Sequence, residues 1–270
     1  MTGSDPGSLE PDSGADRSDD GSRAPDAGDV DLTMVVPFYN AGGTLRHTVD
    51  ELIATLRDSG LRFEVICVSD GSTDGSEQAL NTARCAELRI ICRPHRGKGG
   101  ALHVGLARGN GRYVGFIDAD GDLPPSQITT FLPFADGANE LVVGTKLDPR
   151  SRVTAPVLRR IYSSVWESLA TIFFHLTVRD SQTGLKLIRR DVLTEVLPHL
   201  VEDGFAFDLE LLVVARRLGH TQVVEVPVVM DKGKHSTVSA RSALHMAAAL
   251  LRIYWHLHVT KAYDRPAPRA

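Results

Sequence analysis

Short β-rich runs alternate with helical stretches from Asp31 to Lys146, and this alternation restricts the fold more than any other feature. Runs such as "DLTMVVP" and "RFEVICVSD" are rich in β-branched residues, whereas "TLRHTVDELIATLRD" places its apolar side chains at helical spacing. Alternation of this kind builds a mostly parallel sheet with helices on both faces. We therefore predict an α/β fold with a central sheet.

Polar or acidic residues follow three of the five predicted strands, at the point where each strand ends. The first strand ends at Tyr39–Asn40, the second at "DGS" beginning with Asp70, and the fourth at the carboxylates from Asp118 to Asp122. Ligands of such sheets bind beyond the carboxyl ends of the strands. We expect these strand ends to converge on one cleft.

Composition divides the chain into a main domain and two tails. Residues 1–30 contain eight acidic residues, two arginines and almost no large apolar side chain, which predicts a disordered acidic tail without the apolar core of a signal peptide. The main domain is expected over residues 31–238. An amphipathic helix is expected over 239–262 and a loose tail over 263–270.

Cysteine and histidine patterns argue against a zinc site. The three cysteines, Cys67, Cys85 and Cys92, have no metal-ligand spacing, and the ten histidines form no HExxH motif. Cys67 and Cys92 lie in apolar strand-like runs. These patterns predict plain buried thiols in a reducing compartment.

The run "YVGFIDADGDLPP" delivers three carboxylates, Asp118, Asp120 and Asp122, to the end of an apolar strand. Like charges repel, so a cation is expected beside them. Mg²⁺ or Mn²⁺ prefers oxygen ligands and is typically held by one or two carboxylates together with substrate phosphates. The alternative interpretation is a solvated acidic turn.

Two further loops carry groups suited to a nucleotide. Asp70 in "VSDGSTDGS" is able to accept hydrogen bonds from a base or ribose, although the residues after it also fit a helix cap. "HRGKGGAL" places Arg96 and Lys98 among glycines before a helix, which suits phosphate, although a solvated loop fits equally. The spacing is not that of a Walker loop, and no GxGxxG follows the first strand, which argues against a dinucleotide-binding oxidoreductase.

Six motifs in order give a specific resemblance. These are "VVPFYN", "VSDGSTDGS", "RGKGGAL", "FIDADGDLPP", "RDSQTGLKLIRRDVL" and "FAFDLELLVVA". Together they resemble the family 2 glycosyltransferases of the GT-A fold, within which they look most like the dolichyl-phosphate glucosyltransferase and mannose synthase branch. The resemblance runs from about Leu32 to about Val238.

The resemblance implies transfer of a hexose, with inversion, from a UDP-glucose or GDP-mannose type donor to a polyprenyl phosphate. Such lipid-linked sugars serve in cell-envelope glycan biosynthesis, and no nucleic-acid partner is expected. By matching positions, the implied nucleotide-binding residues are Pro37, Tyr39, Asn40, Asp70, Lys98 and Asp118. The implied ligands of Mg²⁺ or Mn²⁺ are Asp118, Asp120 and Asp122.

The resemblance also assigns residues beyond the acidic stretch. The implied catalytic residues are Asp120, Asp180, Asp208 and Lys234, and the implied phosphate or acceptor contacts are Lys146, Gln182 and Lys232. For Asp180 the alternative is an ion pair with Arg179 or another arginine. Ala41 stands where many relatives have glutamate, and Lys146 where many have arginine, which makes the bidentate fork that lysine lacks.

A lipid acceptor raises the question of membrane contact. No apolar run reaches the roughly 18–20 uncharged residues that a spanning helix needs. The final helix carries Tyr254 and Trp255, which favour the membrane interface, and the stretch from Pro156 to His175 is similar. We predict a cytoplasmic protein, peripheral at the inner face of the cytoplasmic membrane. The alternative is that both helices pack on the core or on a second copy in a homodimer.

Two other functions remain open. A family 2 transferase with a soluble or glycan hydroxyl acceptor would need a general base at Asp180 or Asp208. A non-catalytic nucleotide-sugar-binding module would not need the complete acidic stretch.

Overall fold

The computed structural model describes residues 30–81, 85–154, 157–231 and 240–264. The strands are β1 (Leu32–Phe38), β2 (Phe63–Asp70), β3 (Leu88–Arg93), β4 (Tyr113–Ile117), β5 (Leu141–Thr145), β6 (Arg152–Thr154), β7 (Leu185–Arg189), β8 (Val223–Pro227) and β9 (Val229–Asp231). The helices are α1 (Gly42–Asp58), α2 (Ser76–Asn81), α3 (Lys98–Ala107), α4 (Ile128–Phe131), α5 (Val157–Phe174), α6 (Arg190–Val196), α7 (Phe207–Arg217) and α8 (Ala240–His258).

Seven strands form the central sheet in the order β3-β2-β1-β4-β7-β5-β8, and β6 pairs with β9 in a separate two-stranded sheet. The pairs β1–β2, β2–β3, β1–β4 and β5–β8 are parallel, so the predicted mostly parallel α/β sheet is confirmed. β7 runs antiparallel between β4 and β5. The sequence pattern did not predict β7, because its five residues include Lys186 and Arg189 and form no purely apolar run.

Helices cover both faces of the sheet, because successive strand residues point to opposite sides. On β4, Val114 and Phe116 join the core beneath α3 and α7, whereas Tyr113 and Ile117 join the core beneath α1. The predicted apolar positions of α1 are all buried in that second core. This packing fixes the direction in which the strand ends point, and so the position of the site.

Two segments that read as single elements in the sequence are divided into shorter elements in the structure. The run "PPSQITTFLPFA" predicts one helix that starts at Pro124–Pro125, because proline suits the first turn, but the structure has a 3₁₀ turn at Pro125–Gln127, the four-residue α4 and a second 3₁₀ turn at Leu132–Phe134. Proline inside a helix removes a backbone donor, and Pro133 lies in that second turn. The β-rich run "TQVVEVPVVM" predicts one strand, but in the structure it divides after Pro227 into β8 and β9.

One burial prediction was wrong, and the first residue of the expected C-terminal tail is buried. Cys92 is exposed because β3 is the edge strand of the sheet, whereas Cys67 is buried as predicted. Tyr263, assigned to a loose tail, is almost fully buried in the 3₁₀ turn Ala262–Asp264, and its hydroxyl donates to Glu210 Oε1 at 2.7 Å. Within the described ranges, every helix is too short or too polar to cross a bilayer.

Candidate active site

The carboxyl ends of the strands meet at one edge of the sheet, as their sequences predict. The Asn40 amide donates to Ser72 Oγ at 3.0 Å, and the Thr73 amide donates to Asn40 Oδ1 at 2.8 Å, which joins the ends of β1 and β2. The Asp118 amide donates to Gly184 O at 3.0 Å, which joins the end of β4 to the loop before β7.

Asp70 is buried and holds the loop that follows β3. Its carboxylate accepts from the amides of Arg96 at 3.0 Å and Gly97 at 2.7 Å, and it lies 2.8 Å from His95 Nδ1. Arg93 Nη1 lies 3.3 Å away from the same carboxylate. Asp70 therefore shapes the loop that carries Lys98.

The other implied base and ribose contacts differ in exposure. Pro37 is buried within β1, and the Asn40 side chain accepts the hydrogen bond from Thr73. Tyr39 is 50% exposed, and its ring lies 4.4 Å from the His95 ring. Tyr39 thus offers an accessible aromatic surface at this edge.

Lys98 joins two carboxylates that come from different parts of the chain. Its Nζ lies 2.7 Å from Asp118 Oδ1 and 3.1 Å from Asp208 Oδ2. Burial alone would lower the pKa of Lys98, but the two carboxylates outweigh it and raise the pKa. Burial raises the pKa of Asp118, Lys98 opposes this, and repulsion from Asp208 and Asp120 adds to it.

Asp208, at the start of α7, is enclosed between two ammonium groups. Lys186 Nζ lies 2.6 Å from Asp208 Oδ1 and donates to Thr183 O at 2.7 Å. Burial opposes ionisation of Asp208, but Lys186 and Lys98 hold its pKa below the ordinary value. Asp208 therefore positions Lys98, and the structure does not expose it as a group that touches substrate.

Asp180 is also fully buried and saturated with donors. It accepts from the Lys146 amide at 2.7 Å and Thr183 Oγ1 at 2.6 Å, and Lys146 Nζ lies 3.1 Å away. Burial opposes ionisation, but Lys146 and these hydrogen bonds hold the pKa of Asp180 below its usual range. The alternative partner, Arg179, instead pairs with Glu225 at 3.2 Å. Asp180 therefore pairs with a lysine, Lys146, and not with Arg179, which the sequence left open as its partner.

Asp120 and Asp122 lie in the turn after β4. Asp120 is exposed, Asp122 is half-buried, and the Asp122 amide donates to Asp120 Oδ1 at 3.0 Å. Gly121 between them has a φ of 75°, a conformation that favours glycine. The turn therefore presents the Asp120 carboxylate to solvent beside Asp118.

The expected convergence of three carboxylates is not what the structure shows. In the described part of the chain, no three Asp, Glu, His or Cys side chains lie close enough together to hold a metal. The Asp118 carboxylate instead pairs with Lys98, whose Nζ lies 2.7 Å away. The donor set still fits a hard cation held by one or two carboxylates, with substrate oxygens completing its shell.

Gly184 fits this site because a larger residue would collide with Asp118. A Cβ atom at Gly184 would lie 2.0 Å from Asp118 Oδ2. Nearby, Gln182 Nε2 is buried and has no hydrogen-bond partner within the described ranges. Lys232 and Lys234, also assigned from the sequence, lie outside the described residues.

The sequence did not predict that Glu167 and Lys186 are buried. Glu167 on α5 accepts from the Ser181 amide at 2.9 Å and from Ser181 Oγ at 3.0 Å, one residue from Asp180. Burial, followed by repulsion from Asp180, raises the pKa of Glu167 to about 7. The sequence signal for a buried Glu167 was its position as a single carboxylate within an apolar helical stretch. Lys186 is also buried, and its place within "LKLI" was the sequence signal for that burial.

The family comparison agrees with this architecture. The family model described as Glycosyl transferase family 2 matches residues 33–197, which is more than half of the chain. The chain therefore belongs to the family 2 glycosyltransferases, and its sheet and helices form their GT-A fold.

Curated relatives cover most of the chain. It is 29% identical over 227 residues to a dolichyl-phosphate beta-glucosyltransferase of Saccharomyces cerevisiae, covering 74% of this chain and 66% of that protein. It is 28% identical over 255 residues to the dolichyl-phosphate beta-glucosyltransferase ALG5D of Trichomonas vaginalis, covering 87% of this chain and 77% of that protein.

A solved structure shares the fold. Glucosyl-3-phosphoglycerate synthase from Mycobacterium tuberculosis, crystallised with Mn²⁺, UDP and phosphoglyceric acid, superposes with a TM-score of 0.64 at 21% identity. The superposition covers 88% of this chain and 80% of that one. At this identity the likeness concerns the fold.

Proposed function

We propose that this glycosyltransferase moves a hexose, with inversion, from a nucleotide sugar to a polyprenyl phosphate at the inner face of the cytoplasmic membrane. The observation that carries the proposal is the double role of α5. Through Glu167 this helix binds Ser181, in the loop whose Asp180 pairs with Lys146. The next turn of the same helix exposes apolar side chains. Ile172, 67% exposed, follows Glu167 by five residues, a rise of about 8 Å along the helix.

The exposed apolar side chains of α5 continue onto α8. Phe173 and Tyr254 make an edge-to-face contact with ring centroids 5.6 Å apart. Tryptophan and tyrosine favour the membrane interface, and clustered exposed apolar side chains mark interaction sites. We call this surface the apolar face; its residues are Leu169, Ile172, Phe173, Leu251, Tyr254, Trp255 and Val259.

A phosphate acceptor suits the state of the buried carboxylates. A hydroxyl acceptor needs a base, but Asp180 and Asp208 are enclosed by lysines that hold their pKa values low. A phosphate oxygen is already anionic near neutral pH, so it needs placement and charge neutralisation. Lys146 and Lys98 at the sheet edge supply cationic charge, and the Gln182 amide nitrogen supplies a donor.

In the proposed reaction the acceptor phosphate oxygen forms a bond to the anomeric carbon. The bond from that carbon to the nucleoside diphosphate oxygen breaks on the opposite face, and its electron pair leaves with the diphosphate. Asp120, with Asp118 beside it, would hold Mg²⁺ or Mn²⁺, which when bound stabilises the leaving diphosphate. Tyr39 would stack against the base at the exposed edge.

Glucose is the sugar that the relatives favour. Both curated relatives described above are named as dolichyl-phosphate glucosyltransferases, which supports a glucosyl donor and an isoprenoid phosphate acceptor. UDP-glucose is therefore the first donor to test, with GDP-mannose and UDP-N-acetylglucosamine as alternatives.

The direct test is transfer of label into lipid. Purified protein is incubated with each radiolabelled donor, Mg²⁺ or Mn²⁺, and vesicles that contain a polyprenyl phosphate, and the organic phase is counted. We expect label in the organic phase, and roughly 1,000-fold less with Asp120→Asn. Label that enters only a soluble hydroxyl acceptor, or only free sugar, would overturn the lipid-phosphate assignment.

Membrane contact is tested separately by flotation with vesicles that contain anionic lipids. The paired substitutions Ile172→Ser and Trp255→Ser are expected to reduce the bound fraction about tenfold, because they remove apolar area from the apolar face. Phe134→Ser, at an exposed aromatic in the 3₁₀ turn Leu132–Phe134 and not on α5 or α8, is the matched control. Equal flotation of all three proteins would remove the apolar face from the proposal.

A further inference from the structure

Two loops interlock beside the implied nucleotide site. We call residues 95–100 the donor loop and residues 201–204 the support loop. The Gly100 amide donates to Asp203 O at 3.1 Å, and Arg96 Nη2 lies 2.9 Å from Asp203 Oδ2. A Cβ atom at Gly99 would lie 2.3 Å from Glu202 O, so the two backbones approach more closely than any other residue permits.

The donor loop carries groups that the site depends on. Its amides at Arg96 and Gly97 bind the Asp70 carboxylate, and its Lys98 contacts Asp118. A shift of the support loop would therefore displace these groups together.

A buried carboxylate on α7 binds the backbone of the support loop. Glu210 on α7 is fully buried and accepts from the amides of Val201 at 3.0 Å and Glu202 at 2.8 Å. Its other oxygen accepts from the hydroxyl of Tyr263, close to the end of the described chain.

Helix α8 also contacts the support loop. Arg252 donates from Nε and Nη2 to the two oxygens of Glu202, each at 2.7 Å, and Glu202 is itself buried. Arg217 Nη2 donates to Asp264 Oδ2 at 2.6 Å, which fixes the turn that carries Tyr263. Bidentate arginine–carboxylate pairs are among the stronger and more directional contacts in proteins.

We propose that α8 and Ala262–Asp264 form a C-terminal clasp that positions the donor loop through the support loop. Arg252 and Tyr263 are positioning residues, which act on nucleotide binding through Glu202 and Glu210. The inference rests on the proposed function only in taking the donor loop as part of the nucleotide site. Because Leu251 and Trp255 of α8 belong to the apolar face, the clasp connects that face to the donor site.

The test is calorimetric titration of UDP and of GDP, with Mn²⁺, into the full chain. Arg252→Met is expected to raise the nucleotide Kd about tenfold, and Arg252→Lys, which keeps one contact, about threefold. His245→Gln is the matched control on the same helix, since His245 is exposed and lies outside both the apolar face and the clasp contacts, and its Kd is expected to equal that of the wild type. In transfer assays Arg252→Met is expected to raise the donor KM with little change in kcat.

Gly99→Ala perturbs the contact between the donor loop and the support loop through a change in the donor loop. If the clasp acts through that contact, Gly99→Ala and Arg252→Met together are expected to raise Kd less than the product of their separate effects. If Arg252→Met does not fold, Tyr263→Phe tests the clasp instead, because it removes only a single hydroxyl. It is expected to raise the nucleotide Kd about threefold.

The outcomes separate the two proposals. Wild-type protein that binds neither nucleotide contradicts the proposed function. Wild-type protein that binds one of them, with the same Kd in folded Arg252→Met or Tyr263→Phe, overturns the clasp and leaves the proposed function intact.

Discussion

Asp120 and Asp208 have the same side chain and the same implied catalytic role, yet they lie in opposite environments. Asp120 is exposed in a glycine turn at the end of β4. Asp208 is buried at the start of α7, between Lys98 and Lys186. The start of α7 holds two lysines in place, whereas we infer that the turn after β4 is the part of this edge that would meet ligands.

Asp180 repeats the second environment on the other side of β7. It is buried, saturated with donors and paired with Lys146. A carboxylate enclosed in this way keeps its charge because its partner is cationic, and removal of either partner leaves an unpaired buried charge. The acidic residues of this site therefore make two classes, accessible carboxylates (Asp120, Asp122) and enclosed carboxylates (Asp180, Asp208).

The largest expected effect is on catalysis by an accessible carboxylate. Asp120→Asn is expected to lower transfer by roughly 1,000-fold, about 4 kcal/mol in the barrier, because it weakens stabilisation of the leaving diphosphate. Its urea midpoint is expected to match that of the wild type. Asp58→Asn, exposed at the end of α1, is the control, and full activity in Asp120→Asn would contradict the assignment.

An enclosed carboxylate should instead affect folding. Asp208→Asn is expected to reduce the free energy of unfolding by about 3 kcal/mol, because Lys186 then lies buried without its counter-ion. Urea denaturation measures this change. The pair Lys186→Met and Asp208→Leu, which removes both charges, is expected to cost less stability than Asp208→Asn alone. A single substitution without effect on the urea midpoint would remove the distinction between the two classes.

Glu210 extends the comparison because it is buried and, among the described residues, has no lysine paired with it. Burial raises its pKa to about 7, against hydrogen bonds from the support loop and Tyr263. The folded state therefore retains a proton that the unfolded chain has lost, and stability falls as pH rises through the folded pKa. We expect a loss on the order of 2 kcal/mol between pH 5 and pH 8.

Glu210→Gln mimics the protonated side chain, so the difference in unfolding free energy between it and the wild type should change with pH in that window. Thermal unfolding of both proteins at pH 5, 6, 7 and 8 provides the measurement. A constant difference across the series would show that Glu210 does not titrate there.

The smallest effect is expected in the turn between the accessible carboxylates. Gly121 has a φ of 75°, and a Cβ there would lie 3.1 Å from Thr44 Cγ2. Gly121→Ala should cost about 1 kcal/mol of stability, from its left-handed backbone, as seen in the urea midpoint. Gly43→Ala, in open space at the start of α1, provides a comparison at a glycine without positive φ. A loss no larger than that of Gly43→Ala would indicate that the turn relaxes.

Local pattern was sufficient for the parallel part of the sheet. β1, β2 and β4 are buried along nearly their whole length, so their apolar runs are unbroken, and α1 shows a full helical period. The motifs at their ends also predicted which strand termini would meet. β7 was missed because its buried Lys186 interrupts the apolar pattern, and α4 was overestimated because prolines break the segment around it.

The sequence by itself determined the α/β fold, the convergence of the strand ends and the family, because each depends on residues close together in the chain. Only the tertiary structure decided which carboxylates are accessible. Lys98 and Asp208 are 110 residues apart, and Lys146 and Asp180 are 34 apart, so no local pattern pairs them. Burial and long-range charge set the state of a carboxylate, and both arise only when the sheet and helices have assembled.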